Sequence, residues 1–180
     1  TAMSSTQVGL LTATQIKGLA GTQLAVLTTT QIGGISQTRI AGLETAQLVQ
    51  LTTTVISSLT TVQFAGLSRA QIQALTTSQV QSLTTEQIDV LKATQIQGFS
   101  TNQIAALDTT QLLAITTTAI AALRPTQLAG LSSTDITSFT TTQVTAFTVQ
   151  DLKSMNSLQK GAFTSGQIAV MSAAQVTAIS

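Results

Sequence analysis

The chain of 180 residues contains no cysteine, histidine, tryptophan or tyrosine. Without cysteine there can be no disulfide framework and no thiolate metal site. The further lack of histidine excludes most pairs of a nucleophile with its base and nearly all transition-metal sites. We therefore predict that the protein is not an enzyme and that it has no catalytic, cofactor-binding or metal site.

Carboxylates are also scarce, and their spacing does not indicate a site. The six are Glu44, Glu86, Asp89, Asp108, Asp135 and Asp151. Glu86 and Asp89 lie close together in the sequence, but with Lys92 they are typical of a solvated face. There is no Asp-bearing glycine-rich loop for calcium and no phosphate-binding loop.

Charge of either sign is rare, at 7% of residues, and the formal net charge is +1. The seven lysines and arginines are scattered singly, so they form no basic stripe for nucleic acid or anionic lipid. Thr or Gln interrupts every apolar run long before the roughly 18 residues that a membrane-spanning helix needs. We predict neither nucleic-acid binding nor membrane insertion.

What the chain does have is an eight-residue repeat, close to Leu-Thr-Thr-Thr-Gln-Ile-x-x, from Gln7 to the C-terminus. A strict period of this kind predicts a repeat architecture. The first apolar series begins Val8, Ile16, Leu24, Ile32, Ile40, Leu48, Ile56. The second begins Leu11, Leu19, Leu27, Ile35, Leu43, Leu51. In the first series Phe64 is still apolar, whereas Lys160 is not.

The octad contains the signals of a helix start. A Ser or Thr followed three residues later by Gln is a capping box, and apolar residues just before the cap and four after it form a hydrophobic staple. The capping-box pairs include Thr28 with Gln31, Thr76 with Gln79, Ser100 with Gln103 and Thr140 with Gln143. The matching core pairs are Leu27 with Ile32, Leu75 with Val80, Phe99 with Ile104 and Phe139 with Val144.

Two further features favour helices. The only proline, Pro125, follows a cap position, where its missing N–H is tolerated. Asp135 and Asp151 replace the glutamine and can serve as capping partners. Thr and Ile also favour strands, so a β-solenoid is the alternative fold.

One continuous helix is excluded, because eight residues at about 100° each overshoot two turns by about 80° and the apolar stripe would wind around the helix. We predict one helix of about five to seven residues per octad, stacked into an all-α solenoid. Both apolar series would point inward and the Thr-rich helix starts outward.

Sequence periods longer than the octad indicate how many helices form a turn. Gly34, Gly66, Gly98 and Gly130 recur in every fourth octad, each two residues before a serine. This period of four octads predicts four helices per superhelical turn. A two-helix layer, with two octads per turn, is the alternative. Glutamine is also invariant in alternate octads, which predicts different environments for alternate helices. The small residues before the second series would allow close helix approach, and glycine there would also suit a left-handed helix exit.

We expect residues 1–180 to form a single array, either complete or a segment of a longer one. Variant turns are expected at 133–180, where Phe139, Phe147, Met155 and Phe163 enlarge the second series. In the same region Leu158 is predicted to replace the apolar residue lost at Lys160.

The octads at 28–35, 76–83 and 140–147 resemble the repeat arrays of large bacterial secreted or surface proteins of the adhesin-like and haem-utilisation-like kind. The resemblance covers nearly the whole chain, in a motif of low complexity. It implies a structural role outside the cell or on its surface. The haem label does not carry over, because the chain has no His or Tyr and only Met3, Met155 and Met171 could offer a sulfur ligand.

Our first functional hypothesis is a structural module: a stalk, spacer or filament subunit that self-associates or continues in the same array, with O-linked glycan as a candidate modification of its Thr and Ser. The alternative is an ice-binding solenoid that presents rows of Thr. Peptide binding along a groove is a third hypothesis, but the sequence lacks the aromatic and Arg anchors that favour it.

Overall fold

The computed structural model describes residues 3–180, and every regular element among them is an α-helix. Twenty-two short helices form in this part of the chain, one per octad. The prediction of an all-α solenoid is confirmed. The alternative of a β-solenoid is wrong, since no strand forms between residues 3 and 180.

The chain forms two compact units, Thr1–Val90 and Leu91–Ser180, called here the N-terminal and C-terminal units. The helices of the N-terminal unit are α1 (Ser5–Leu10), α2 (Ala13–Lys17), α3 (Gly21–Leu24), α4 (Thr29–Gly33), α5 (Gln37–Ile40), α6 (Thr45–Leu48), α7 (Thr53–Ser58), α8 (Thr61–Ala65), α9 (Arg69–Ala74), α10 (Thr77–Gln81) and α11 (Thr85–Asp89).

The C-terminal unit repeats this organisation. Its helices are α12 (Ala93–Ile96), α13 (Thr101–Ala105), α14 (Thr109–Leu113), α15 (Thr117–Ile120), α16 (Pro125–Leu128), α17 (Ser133–Ser138), α18 (Thr141–Val144), α19 (Val149–Ser154), α20 (Ser157–Lys160), α21 (Ser165–Val170) and α22 (Ala173–Ile179). That the two units belong to one array, with variant turns at 133–180, stays a prediction.

Each helix starts at an extended N-cap residue, and helices such as α7 also end at a residue outside the helical region. At the end of α7, Leu59 (φ −58°, ψ 130°) leaves the helical region, and Thr60 (φ −62°, ψ 156°) is the N-cap of α8. Pro125 occupies the first position of α16, as expected. Because the break recurs in every octad, the helices are only four to seven residues long, slightly shorter than predicted. Helices this short are unstable alone, so packing must hold them.

Within each unit a helix packs against the third helix after it, as α1 does with α4 and α13 with α16. Side-chain hydrogen bonds between turns join residues 25 to 31 positions apart. The separation of 28 positions that recurs among them corresponds to a turn of about three and a half octads. The prediction of four helices per turn is slightly too high, and the two-helix layer is wrong.

Both apolar series form the core, as predicted. The first-series residues Ile56 and Leu152 have no exposed surface, and second-series residues such as Leu59 and Leu75 are each 3% exposed. Phe139 and Phe147 pack edge to face with ring centroids 5.3 Å apart. The proposed exchange of Leu158 for Lys160 is wrong, because Leu158 is 78% exposed and Lys160 keeps its place in the series, half-buried.

Glycine serves close approach rather than chain reversal. Gly34 and Gly130 have no room for a methyl group, which would overlap the carbonyl oxygen of Ser5 or of Thr101. No residue from 3 to 180 has a positive φ. The predicted left-handed helix exit is therefore wrong, since glycines at helix ends such as Gly18 and Gly34 stay in the right-handed helical region, with ψ of −6° and −13°.

Candidate functional site

Capping boxes connect each predicted cap to its glutamine. In the box of α10, the Gln79 N–H donates to the Thr76 hydroxyl over 3.1 Å, and the Thr76 N–H donates to Gln79 Oε1 over 2.9 Å. The other three predicted boxes have the same two bonds, at 3.2 and 2.8 Å for Thr28 with Gln31, 3.2 and 2.7 Å for Ser100 with Gln103, and 3.1 and 3.0 Å for Thr140 with Gln143.

The core pairs expected beside these boxes are buried. Exposure is 8% or less for Leu27, Ile32, Leu75, Val80, Phe99, Ile104, Phe139 and Val144. The cap hydroxyls and the core pairs are thus segregated, with the caps Thr28, Thr76 and Thr140 exposed at the surface. These octads place a polar helix start outside and two apolar side chains inside.

The glutamine of the capping box has a second role, which was not predicted from the sequence. Gln79 is 2% exposed, and its Nε2 donates to the carbonyl oxygens of Leu48 (3.1 Å) and Leu51 (2.8 Å) in the preceding turn. One amide therefore starts its own helix through Oε1 and joins the turn before it through Nε2. We call this arrangement the glutamine clamp.

The glutamine clamp recurs through both units. Its Nε2 bonds reach back 28 to 31 residues and measure 2.6 to 3.4 Å. Its members include Gln31, Gln47, Gln63, Gln71, Gln79 and Gln87 in the N-terminal unit, and Gln127, Gln143, Gln159, Gln167 and Gln175 in the C-terminal unit. Gln71 and Gln79 lie in consecutive octads, one from each of the two alternating series, yet they form equivalent bonds to the preceding turn. The predicted difference between alternate helices is therefore wrong.

Only a primary amide has the groups that the clamp uses. Its oxygen accepts a hydrogen bond and its nitrogen carries two donors, whereas a glutamate carboxylate only accepts. A net stabilisation of about 0.5–1.5 kcal/mol per hydrogen bond, repeated at each turn, makes the clamp a major polar contribution to stacking.

The sequence did carry a signal for the clamp. Either Glu or Gln completes a capping box. Of the 22 third helical positions, 17 are Gln and none is Glu. A requirement for amide donors explains that exclusion, because carboxylates facing main-chain carbonyls would repel them.

Five octads have another residue at the clamp position. Arg39 compensates, since its guanidinium donates to the Gly9 carbonyl of the preceding turn. The other four, Val55, Ala119, Asp135 and Asp151, form no bond to the preceding turn within residues 3–180. A clamp at these four positions would reach second-series carbonyls one turn earlier. Those carbonyls receive no hydrogen bond within residues 3–180, and they belong to Leu27, Leu91, Leu107 and Leu123.

Asp135 and Asp151 act as capping partners, as expected. Asp151 Oδ2 accepts from the N–H and the hydroxyl of Thr148, at 2.8 and 2.7 Å. Asp135 Oδ2 accepts from the N–H and hydroxyl of Ser132 in the same way. The shorter aspartate therefore preserves the cap and loses the contact between turns.

Glu86 and Asp89 are both exposed on α11. The pKa of Glu86 is lowered by a hydrogen bond from its own backbone N–H, and further by the hydroxyls of Thr84 and Thr85. Among residues 3–180 no three potential metal ligands of the His, Cys, Asp or Glu type lie together. Nor does this part of the chain contain a helix long and apolar enough to span a bilayer.

Comparison with models of protein families identifies a known repeat. Residues 40–77, from the end of α5 to the start of α10, match the family model of the ALTTAQ repeat. This similarity is consistent with a repeat array and covers less than a quarter of the chain. A search of curated protein sequences finds no match.

Proposed function

We propose that this chain is a non-enzymatic structural repeat module, a stalk, spacer or filament-forming subunit of an extracellular or cell-surface bacterial protein. The glutamine clamp is the observation that carries the proposal. Because the same polar contact and the same two apolar series recur at each turn, octads can be added without designing a new interface. In such an array the number of octads sets the length.

The surface chemistry supports this function. Outward positions are mostly Thr, Ser, Gln and Ala, and charged side chains make up only 7% of the sequence. Exposed pairs such as Thr109 and Thr110, or Thr141 and Thr142, are also accessible to O-linked glycosylation. Glycan on these rows would be measured, in protein purified from its source, as an excess of the intact mass over the mass calculated from its full sequence.

A length series tests the spacer function. Seven octads correspond to two turns, so duplicating the seven octads at 29–84 should add two turns in register. With helices packed about 8–10 Å apart, the maximum dimension measured by X-ray scattering should increase by about 16–20 Å. A maximum dimension that does not grow with added octads would exclude a spacer. Electron microscopy of native material should show rods or fibres.

Ice binding is the second candidate, favoured by exposed Thr at the first two positions of helices such as α14 and α18. The geometry of the turn disfavours it. Because a turn holds about three and a half octads, Thr positions align in one column only at every second turn, after seven octads. In addition, cap hydroxyls such as that of Thr28 already bond their own box. Absence of thermal hysteresis at high protein concentration would exclude this candidate.

A further inference from the structure

A buried carboxylate in the C-terminal unit has no ion-pair partner among residues 3–180. Asp151, at the third position of α19, is 3% exposed. Its Oδ2 accepts from the N–H and the hydroxyl of Thr148, whereas its Oδ1 accepts from no residue in the described chain. The Arg124 guanidinium bonds main-chain carbonyls one turn earlier, and Lys153 is exposed. A buried charge of this kind is costly unless an opposite charge or further hydrogen bonds compensate it.

The flanking clamps show what Oδ1 faces. Gln143, one octad earlier, donates from Nε2 to the carbonyls 31 and 28 residues before it, at 3.0 and 2.9 Å. Gln159, one octad later, donates to its two carbonyls at 2.7 Å each. The same separations from Asp151 lead to the carbonyls of Ile120 and Leu123. Since Oδ2 takes the place of the glutamine Oε1 in the capping box, Oδ1 takes the place of Nε2 and points towards these carbonyls.

This position therefore brings together oxygen atoms that only accept hydrogen bonds. A carboxylate oxygen and main-chain carbonyl oxygens cannot bond one another, and the Leu123 carbonyl receives no hydrogen bond within residues 3–180. Aspartate is one methylene shorter than glutamine, so room remains between Oδ1 and the carbonyls. Among the same residues, no side-chain oxygen or nitrogen that is completely inaccessible lacks a partner. The small exposed part of Asp151 thus includes Oδ1, and an ion from solvent can reach it.

The unpaired oxygens lie inside the stack of turns. Helices α16 and α22 both pack against α19, and Leu152, next to Asp151, has no exposed surface. The arrangement therefore results from the aspartate at this octad.

We propose that Asp151 Oδ1 and the carbonyl oxygens of Ile120 and Leu123 bind a large monovalent cation, potassium or ammonium. The cation takes the position that the amide nitrogen of a clamp occupies in the flanking octads, and it joins α19 to the preceding turn. The proposal does not depend on the proposed function. It departs from the prediction that the chain has no metal site, because main-chain oxygens supply two of the three ligands and leave no pattern in the sequence.

Charge and distance both select this class of cation. A single carboxylate supplies one negative charge, which a monovalent cation neutralises. The clamp nitrogens of Gln143 and Gln159 lie 2.7–3.0 Å from their carbonyls. Calcium lies closer to its oxygen ligands, at about 2.3–2.6 Å, and magnesium at about 2.0–2.1 Å. Main-chain carbonyls are also the ligands that potassium meets in channel filters.

The other octads without a clamp lack this combination. Val55 and Ala119 bring no carboxylate to the carbonyls of the preceding turn. Asp135 does bring one and caps its helix in the same way, but it is only half-buried. Because water competes for its oxygens, Asp135 should bind the cation more weakly than Asp151.

Thermal denaturation of the full chain, followed by circular dichroism, tests the site. Tetramethylammonium chloride at the same concentration as potassium chloride is the reference, because it keeps the ionic strength constant and its cation is too bulky to enter. A cation that binds only the folded state stabilises it by mass action. The melting temperature of wild type should be about 2–4 °C higher in potassium chloride, the shift expected for a roughly fivefold larger folding equilibrium constant. Ammonium chloride should act alike, and sodium and calcium chloride less.

Two substitutions of Asp151 separate the cation from the fold. Asp151→Asn keeps an oxygen for the cap and removes the charge, while Asp151→Gln supplies the clamp nitrogen itself. Both should lose most of the potassium response, and Asp151→Gln still decides the matter if Asp151→Asn does not fold. Asp108→Asn is the control, since it removes the same charge from an exposed N-cap that asparagine also satisfies. It should respond to potassium as wild type does.

Rubidium, which replaces potassium and scatters anomalously, locates the ion directly. In crystals soaked in rubidium chloride, an anomalous peak should lie between Asp151 Oδ1 and the Leu123 carbonyl, and its absence there would overturn the proposal. Equal melting temperatures of wild type in the potassium and tetramethylammonium salts would also overturn it and indicate water between the oxygens. So would a potassium response that Asp151→Asn retains in full, or a larger response to calcium than to potassium.

Discussion

The amide nitrogen of Gln63 lies 2.7 Å from the carbonyl oxygen of Ile35 in the preceding turn, while Oε1 of the same side chain accepts from the Thr60 N–H at 2.8 Å. One side chain therefore couples the start of a helix to the end of an earlier one. If the amide moves, both the cap and the stacking of the turn change. This coupling compensates for helices that are too short to be stable alone.

We predict that Gln79→Glu strongly destabilises the protein, while Gln15→Glu is nearly neutral. At Gln79 the capping oxygen is retained, but two buried main-chain carbonyls lose their donor and a carboxylate is placed beside them. The expected loss is about 2–4 kcal/mol in the free energy of unfolding. The Gln15 amide bonds no such carbonyls within residues 3–180. Gln15→Glu should therefore change the free energy of unfolding by no more than about 0.5 kcal/mol. Urea denaturation followed by circular dichroism measures both.

The effect of Gln79→Glu should also depend on pH. Burial raises the pKa of a carboxyl group above its value in the unfolded chain, so the destabilisation is full above the folded pKa. As the pH falls through that pKa, the protonated acid regains a donor and part of the stability returns. Equal losses for Gln79→Glu and Gln15→Glu at pH 7 would contradict the clamp.

We predict that Asp151→Gln stabilises the protein. Asp151 is 3% exposed and caps α19, but the Leu123 carbonyl one turn earlier receives no donor within residues 3–180. A glutamine at this position would supply the donor and add about 1 kcal/mol to the free energy of unfolding. Asp151→Asn is the control, because its amide has one methylene fewer and reaches only the cap. If both variants increase the free energy of unfolding equally, the loss of charge rather than the clamp is responsible.

Local structure was predictable from the sequence, because a capping box such as Thr76 with Gln79 is a property of neighbouring residues. The stacking of the turns was harder to predict from the sequence. The clamp acts on main-chain carbonyls, which every residue has, so no sequence pattern marks the acceptor. The glycine rhythm of four octads also differs from the true turn, because Gly34 meets Ser5 and Gly66 meets the Gln37 side chain, both less than four octads earlier.

We predict that Thr76→Ala lowers the free energy of unfolding by about 1 kcal/mol, since it removes the hydroxyl that accepts from the Gln79 N–H over 3.1 Å. Thr77→Ala is the matched control. Thr77 is the next residue, exposed at the first position of α10, and is not the cap. Thermal or urea denaturation should separate the two variants. A similar loss for both would mean that the exposed Thr pair, rather than the cap, contributes the stability.

The adjacent glycines Gly33 and Gly34 should respond to alanine in opposite directions. An added methyl at Gly33 meets nothing within 4 Å. Gly33→Ala should therefore stabilise the protein by about 0.5–1 kcal/mol, because alanine has the higher helix propensity and lowers the conformational entropy of the unfolded chain. At Gly34 the methyl overlaps the Ser5 carbonyl oxygen, so Gly34→Ala should destabilise it by about 1–3 kcal/mol. Urea midpoints of the two variants test this, and a stabilising Gly34→Ala would show that the turns are not in close contact there.

Glu86 should make stability depend on pH in the acid range. Its pKa in the folded chain is lowered from 4.5, first by its own backbone N–H and then by the Thr84 hydroxyl. Because the folded pKa lies below the unfolded one, the stabilisation is present above about pH 4.5 and is lost as the pH falls through the folded value. The melting temperature of wild type should therefore decrease more between pH 6 and pH 2 than that of Glu86→Gln, which keeps an acceptor oxygen but does not titrate. Glu44→Gln is the control at another helix start, where the cap side chain forms no hydrogen bond. A Glu86→Gln profile parallel to that of wild type would assign the acid sensitivity to other carboxylates.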